Sequence, residues 1–141
     1  MVPASVRVEG AVLEVLSHFE ELARARGVEF RVEADLRIEA AVEDRELHAI
    51  LKELVGNAVR ATTRGGWVRV NAQPEHDGVL ISVKDSGRGF TSPKLREALS
   101  ASSGGLSRVA GVVRSRGGRW WANSKAGKGA TFYIALPRIP S

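Results

Sequence analysis

The stretch Glu53-Leu54-Val55-Gly56-Asn57-Ala58-Val59-Arg60 constrains this chain more than any other, because it sets an acid, an amide and a base into what must be a buried helix. At about 100° per residue, Leu47, Ile50, Leu51, Leu54 and Ala58 make one apolar stripe. Glu53, Asn57 and Arg60 fall at i, i+4 and i+7 and form a polar stripe beside it. A carboxylate, a neutral oxygen ligand and a cation in this arrangement suit a metal-bound polyphosphate. Asn57 offers Mg²⁺ an oxygen, Arg60 neutralises phosphate, and Glu53 orients or deprotonates a nucleophile. Taken alone, the stripe fits the solvated face of an ordinary amphipathic helix equally well.

Two later segments, each weak alone, shift the reading away from the ordinary helix. Val79-Leu80-Ile81-Ser82-Val83-Lys84-Asp85 reads as a strand and runs into Ser86-Gly87-Arg88-Gly89-Phe90. A carboxylate at a strand end, followed by alternate glycines, lets backbone approach a flat ligand while Asp85 accepts a hydrogen bond from it. Ser103-Gly104-Gly105-Leu106-Ser107 then opens a helical pattern carried by Val109, Val112 and Val113. Glycines ahead of a helix N-terminus form an anion cradle of free amides and positive dipole.

Taken in order, these segments resemble the nucleotide-binding superfamily shared by gyrase, a heat-shock chaperone, sensor histidine kinases and the mismatch-repair ATPase (GHKL). Glu53-x-x-x-Asn57 is similar to its N box and Asp85-x-Gly87-x-Gly89 to its G1 box. Gly105-Leu106-Ser107 through Val113, with Gly117-Gly118, resembles its G2 box and the helix after it. The ending Gly127-Lys128-Gly129-Ala130-Thr131-Phe132 through Pro137 is similar to the closing hairpin of histidine-kinase catalytic domains. The resemblance runs from about Val6 to Pro137. Two departures stand out. The G2 box usually reads Gly-x-Gly-Leu-Gly-Leu, and here Ser103 replaces its second glycine. The segment from Thr91 to Ser103 is short, serine-rich and without the lid phenylalanines of many kinases, so a minimal, mobile lid is expected.

The resemblance implies a Bergerat-type ATP-binding fold and the roles of individual residues. Asp85 would accept the adenine amino group, with Thr131 in support. Gly87, Gly89 and Phe90 would shape the pocket, and Gly104, Gly105 and Leu106 would line the phosphate end. Asn57 would hold Mg²⁺ on the phosphates of ATP or ADP, Arg60 would balance their charge, and Glu53 and Asn57 would be the catalytic pair. The implied partner is a histidine-containing dimerisation domain, of the same or a partner kinase, with a response regulator downstream. The isolated domain is expected to be a cytoplasmic monomer, though its parent could be membrane-anchored.

Composition is consistent with a single domain over residues 1–141, its core from about 6 to 137. Hydrophobic residues make up 43% of the 141, ordinary for a globule with one core. No apolar run approaches the roughly 20 residues a bilayer span needs, and no signal peptide is expected. The absence of cysteine excludes disulfides and thiolate metal sites, and three scattered histidines argue against zinc. A net charge of +5 favours anionic ligands. That charge does not choose between ATP and nucleic acid, but nucleic acid ranks last as a partner because Asn57, Asp85, Gly87 and Gly89 are all present.

Periodicity predicts a short strand near Val6 to Val8, then a helix from about Ala11 to Arg26 burying Val12, Val15, Leu16, Phe19, Leu22 and Ala23 and ended by Gly27. Strands are predicted at Val28 to Glu33 and Ile38 to Val42. The signature helix is capped by Asp44 and runs to about Thr63. Trp67 to Ala72 pairs with Val79 to Asp85, a small helix starts at Pro93, and Gly105 to Arg116 is the third main helix. Arg119 to Ser124 pairs with Thr131 to Leu136. The result is a two-layer α/β sandwich, a mixed, mostly antiparallel sheet covered on one face by three main helices.

Other residues receive plainer readings. His18 is a surface histidine, Trp120 and Trp121 point to opposite faces of a strand, and Arg114, Arg116 and Arg119 complement a helix dipole. Gly127-Lys128-Gly129 is a hairpin turn, since no Gly-x-x-x-x-Gly-Lys-Ser/Thr occurs. Three functions remain open. The first is the ATP-binding catalytic domain of a sensor histidine kinase. The second is a self-sufficient ATPase or anti-sigma-type serine kinase of the same superfamily, favoured by Glu53. The third is a binding module whose nucleotide site has decayed.

Overall fold

A computed structural model describes residues 4–34, 38–89 and 105–138. The expected lid, the small helix at Pro93, and Phe90, Ser103 and Gly104 lie outside the described residues. Strand β1 (Val6–Arg7) runs directly into α1 (Val8–His18), and α2 (Glu20–Arg26) follows after a one-residue break. Then come β2 (Glu29–Ala34), β3 (Glu39–Ala40), α3 (Asp44–Ala61), β4 (Trp67–Glu75) and β5 (Gly78–Asp85). Helix α4 (Gly105–Ser115), β6 (Arg119–Lys125) and β7 (Gly129–Pro137) complete the described elements.

Five strands form one sheet in the order β2-β4-β5-β7-β6. Only β2 and β4 run parallel; every other neighbouring pair is antiparallel. Alternation turns Val68 and Val70 of β4, Ile81 and Val83 of β5, and Phe132 and Ile134 of β7 into one core. The core's other wall is α3, whose Leu47, Ile50, Leu51 and Leu54 are each at most 2% exposed. Each such side chain contributes about 1.5–3 kcal/mol by leaving water. The expected two-layer sandwich with a mixed sheet is the fold observed.

Local details differ from the periodicity reading. The first helix is two, because Phe19 leaves helical geometry at φ −98° and ψ 4°. Its ring turns onto α3, where a Cβ on Gly56 would come within 3.1 Å of it. The apolar rhythm therefore slips after the break, and Leu22 is 38% exposed rather than buried. Gly27 does end α2, in the left-handed conformation at φ 66°. The predicted Ile38 to Val42 strand shrinks to two residues that pair with β1 in a separate ribbon. Asp44 is not the cap of α3. Glu43 and Glu46 form a reciprocal capping box instead, with the Glu43 amide donating to Glu46 Oε1 at 2.9 Å.

Arg116 ties α4 to α3. Its Nε and a terminal nitrogen both donate to Glu46 Oε1, at 2.9 and 2.6 Å. Burial alone would raise the Glu46 pKa, but the Arg116 hydrogen bond and charge, with the Glu43 amide, bring it below the ordinary value. The C-terminal end of α4 is thus held at the first turn of α3. Arg116 is an interhelical clamp, a role its dipole reading did not include.

Candidate functional site

The polar stripe of α3 forms a chain of hydrogen bonds. Asn57 Nδ2 donates to Glu53 Oε1 at 3.1 Å, and an Arg60 terminal nitrogen donates to Asn57 Oδ1 at 2.7 Å. Three side chains one turn apart therefore hold one another in a single orientation. The chain leads to α4. A Cβ added to Gly105, the first residue of that helix, would overlap the Glu53 carboxylate. The acid thus lies against the helix N-terminus, where free amides and the positive dipole end face an anion. Leu106, one residue on, is half-buried against the core.

Around this junction is a cavity of about 690 Å³, lined by Phe19, Ile50, Glu53, Arg60, Gly105 and Arg108 among others. Lys52 also borders it. Two cations beyond Arg60 therefore face the same space. Sequence reasoning missed Lys52 and Arg108 because both look like ordinary solvated helix positions.

Asp85 ends β5 at 4% exposure. Its Oδ1 accepts the Gly87 amide at 2.9 Å. Burial pushes the carboxyl above its ordinary pKa of 3.8, against the opposing pull of the Gly87 and Ala130 amides. Asp85 is thus a desolvated acid held by two backbone amides, with acceptor capacity left over for a further donor. The glycines of its loop fit closely. A Cβ on Gly87 would strike the Ala61 carbonyl at the end of α3. Gly89 has φ 66° and lies against the carbonyls of Lys125 and Gly129, so it needs both its backbone freedom and its missing side chain. The Gly127 amide donates to the Arg88 carbonyl at 2.6 Å, so the loop after Asp85 and the β6–β7 turn are layered backbone on backbone.

Thr131 is not where the resemblance put it. The β5–β7 register sets Asp85 opposite Ala130 and Lys84 opposite Thr131. Successive side chains of a strand point to opposite faces, so Thr131 lies on the far side of the sheet from Asp85. Ala130 is the residue beside the buried acid. The strand rhythm held this information, since Ala130 shares the inward parity of Phe132 and Ile134. Phe90 and Gly104, the remaining expected contacts, lie outside the described residues. No helix among the described residues is long and apolar enough to cross a membrane.

Comparison with known proteins fits this geometry. Residues 42–140 match the model of the histidine kinase-, DNA gyrase B- and HSP90-like ATPases. The chain belongs to that family. It is 33% identical over 151 residues to the sensor histidine kinase ZraS of Klebsiella oxytoca, covering 96% of this chain and 32% of that protein. To an uncharacterised sensor-like histidine kinase of Rhizobium meliloti (strain 1021) it is 27% identical over 146 residues, covering 93% and 28%. The catalytic domain of histidine kinase ThkA has the same fold, with a TM-score of 0.87 at 22% identity over 98% of this chain and 97% of that one. Full-length ShkA, solved with AMPPNP, superposes with a TM-score of 0.86 at 26% identity over 97% of this chain and 31% of that one. The chain spans 24% to 36% of the length of the curated relatives it matches.

Proposed function

We propose that this chain binds Mg-ATP and presents its γ-phosphoryl group to a histidine on a separate dimerisation domain, as the catalytic domain of a sensor histidine kinase. The observation that carries the reading is Asp85, a buried acid that ends a strand ahead of Gly87 and Gly89 and keeps acceptor capacity beyond its two backbone amides. It suits the amino edge of adenine, with Gly87 and Gly89 letting the ring approach. Asn57, Arg60 and the amides at the start of α4 suit the phosphates at the other end. The donor set fits a magnesium ion held mainly by its nucleotide: Asn57 offers one neutral oxygen, with a lone pair of Oδ1 left beside the Arg60 hydrogen bond. The ion would neutralise phosphate charge. The side chains of this chain would position the phosphates, and Arg60, Lys52 and Arg108 would offset the negative charge around them.

A histidine acceptor and a response regulator are drawn from the relatives. The structure of ThkA with its response regulator TrrA is one such assembly. Because the acceptor histidine belongs to another domain, the isolated chain should bind nucleotide and be a poor kinase. Calorimetry with Mg-ADP tests the core of the reading. Absence of heat from a folded sample at high protein concentration would overturn it.

One observation supports a self-sufficient ATPase as the second reading. Glu53 is fixed by Asn57 against the N-terminus of α4, where it could orient a water. Steady ATP hydrolysis by the isolated chain, abolished in Glu53→Gln, would favour it over the kinase.

A further inference from the structure

The sheet has a second face, turned away from the helices, that the nucleotide site does not use. The ladder register sets Arg31 opposite Arg69 and Arg69 opposite Lys84. Three cations therefore stand side by side across three neighbouring strands spaced about 4.8 Å apart. Directly opposed like charges destabilise a sheet, so the row needs a reason to exist.

Compensation within the chain is thin. Arg31 reaches Glu29 only at 3.6 Å. Arg69 and Lys84 form no ion pair with a described carboxylate, and Arg69 Nε is buried without a hydrogen-bond partner. All three charges instead converge on one ring, lying 5.0, 5.1 and 6.0 Å from the centre of Trp67. The indole gathers the cations without neutralising them. In register, the row continues through Thr131 to Asn123, two uncharged hydrogen-bonding side chains.

We propose that this row on the open sheet face is a docking surface for an acidic protein segment, whose carboxylates pair with Arg31, Arg69 and Lys84. The competing polyanion is single-stranded nucleic acid, which gains much of its affinity by stacking bases on open aromatic faces. Here those faces are taken. Trp67 is covered by the three cations, while Trp121 stacks on Tyr133 at 5.2 Å and has Arg119 over its ring at 5.4 Å. Carboxylates require only the charges, and guanidinium groups bind them in paired hydrogen bonds.

Intrinsic tryptophan fluorescence of the whole chain, titrated with oligoglutamate and separately with oligothymidylate, tests this. Three proteins are compared: the unmodified chain, Arg69→Gln/Lys84→Gln, and the control Arg24→Gln/Arg45→Gln, which removes the same charge from exposed helix positions. Oligoglutamate should bind the unmodified chain in a salt-sensitive manner. The sheet-face pair should weaken it by about tenfold or more, the equivalent of two lost charge contacts, and the control pair by much less. Lys84→Gln alone, an exposed change, should give an intermediate loss if the double variant does not fold. The proposal falls if oligoglutamate does not bind, if both pairs weaken it equally, or if oligothymidylate binds the row more tightly. Thermal melts confirm folding without reference to nucleotide, and Mg-ADP affinity should be the same with and without the sheet-face pair. Failure of the nucleotide reading would therefore leave this test intact.

Discussion

The carboxylate of Glu53 lies directly against Gly105, so the first residue of α4 is a glycine because an acid from α3 fills the space a side chain would take. The contact joins the polar stripe of α3 to the first turn of α4 in one step. It also makes a separable prediction, because the crowding atoms are the flexible tip of Glu53. Gly105→Ala should displace the carboxylate cheaply, leaving stability within about 0.5 kcal/mol of the parent. Phosphoryl transfer to an added acceptor domain should drop by about tenfold or more, as expected for a misplaced catalytic group. A thermal melt and a transfer assay on one preparation check both halves. A large fall in melting temperature would show that the junction is structural.

Asp85→Asn probes the proposed adenine contact. Oδ1 can remain an acceptor for Gly87, but one acceptor oxygen becomes a donor, whereas the Ala130 amide and any adenine amino group both need an acceptor. The lost hydrogen bond and unpaired donors should cost on the order of 2 kcal/mol, roughly thirtyfold in Mg-ADP affinity. Calorimetry reads this directly. Unchanged affinity would remove Asp85 from the site.

Ala130 and Thr131 offer a test of register. Ala130→Thr places a hydroxyl on the side of the sheet that carries Asp85 and should alter nucleotide affinity. Thr131→Val lies across the sheet and should leave it unchanged. Parallel Mg-ADP titrations of the two variants suffice, and sensitivity to Thr131→Val with indifference to Ala130→Thr would reverse the assignment.

His48 should make stability depend on pH from its ordinary value of 6.5 upward. Burial alone would lower its pKa, but the Asp44 carbonyl at 2.9 Å and Glu14 Oε2 at 2.7 Å outweigh it and raise the value above 6.5. A raised histidine stabilises fully below its unfolded pKa, and that contribution disappears as pH rises through the folded value. Melting temperature should therefore fall across that window, and His48→Gln should flatten the slope. An identical slope in the variant would place the pH dependence elsewhere.

The fold was legible where one periodicity governed a whole element. The apolar stripe of α3 and the alternation of β4, β5 and β7 needed only the 3.6 and 2.0 repeats. The failures share a cause, a neighbour in space that overrode the local rhythm. Phe19 breaks its helix because Gly56 leaves room for its ring on α3. Asp44 yields the cap to Glu43 because Glu46 answers from the third position. Asn57, Arg60 and Glu53 were legible as one stripe, since a single helix carries them. Ala130 was missed because motif matching does not count strand parity, and Lys52 and Arg108 because only tertiary packing turns them toward the cavity.

The backbone layering of the Asp85 loop on the β6–β7 turn has a consequence for how the molecule is made. The acid accepts a hydrogen bond from the Ala130 amide of β7, and its loop rests on carbonyls of the last hairpin. A nascent chain that has completed α3, β4 and β5 carries Asn57, Arg60 and Asp85, yet it cannot shape the Asp85 loop until β7 arrives. Long-range pairing of this kind is slow to form. On the proposed function, a bound nucleotide would therefore stabilise complete domains in preference to partial ones.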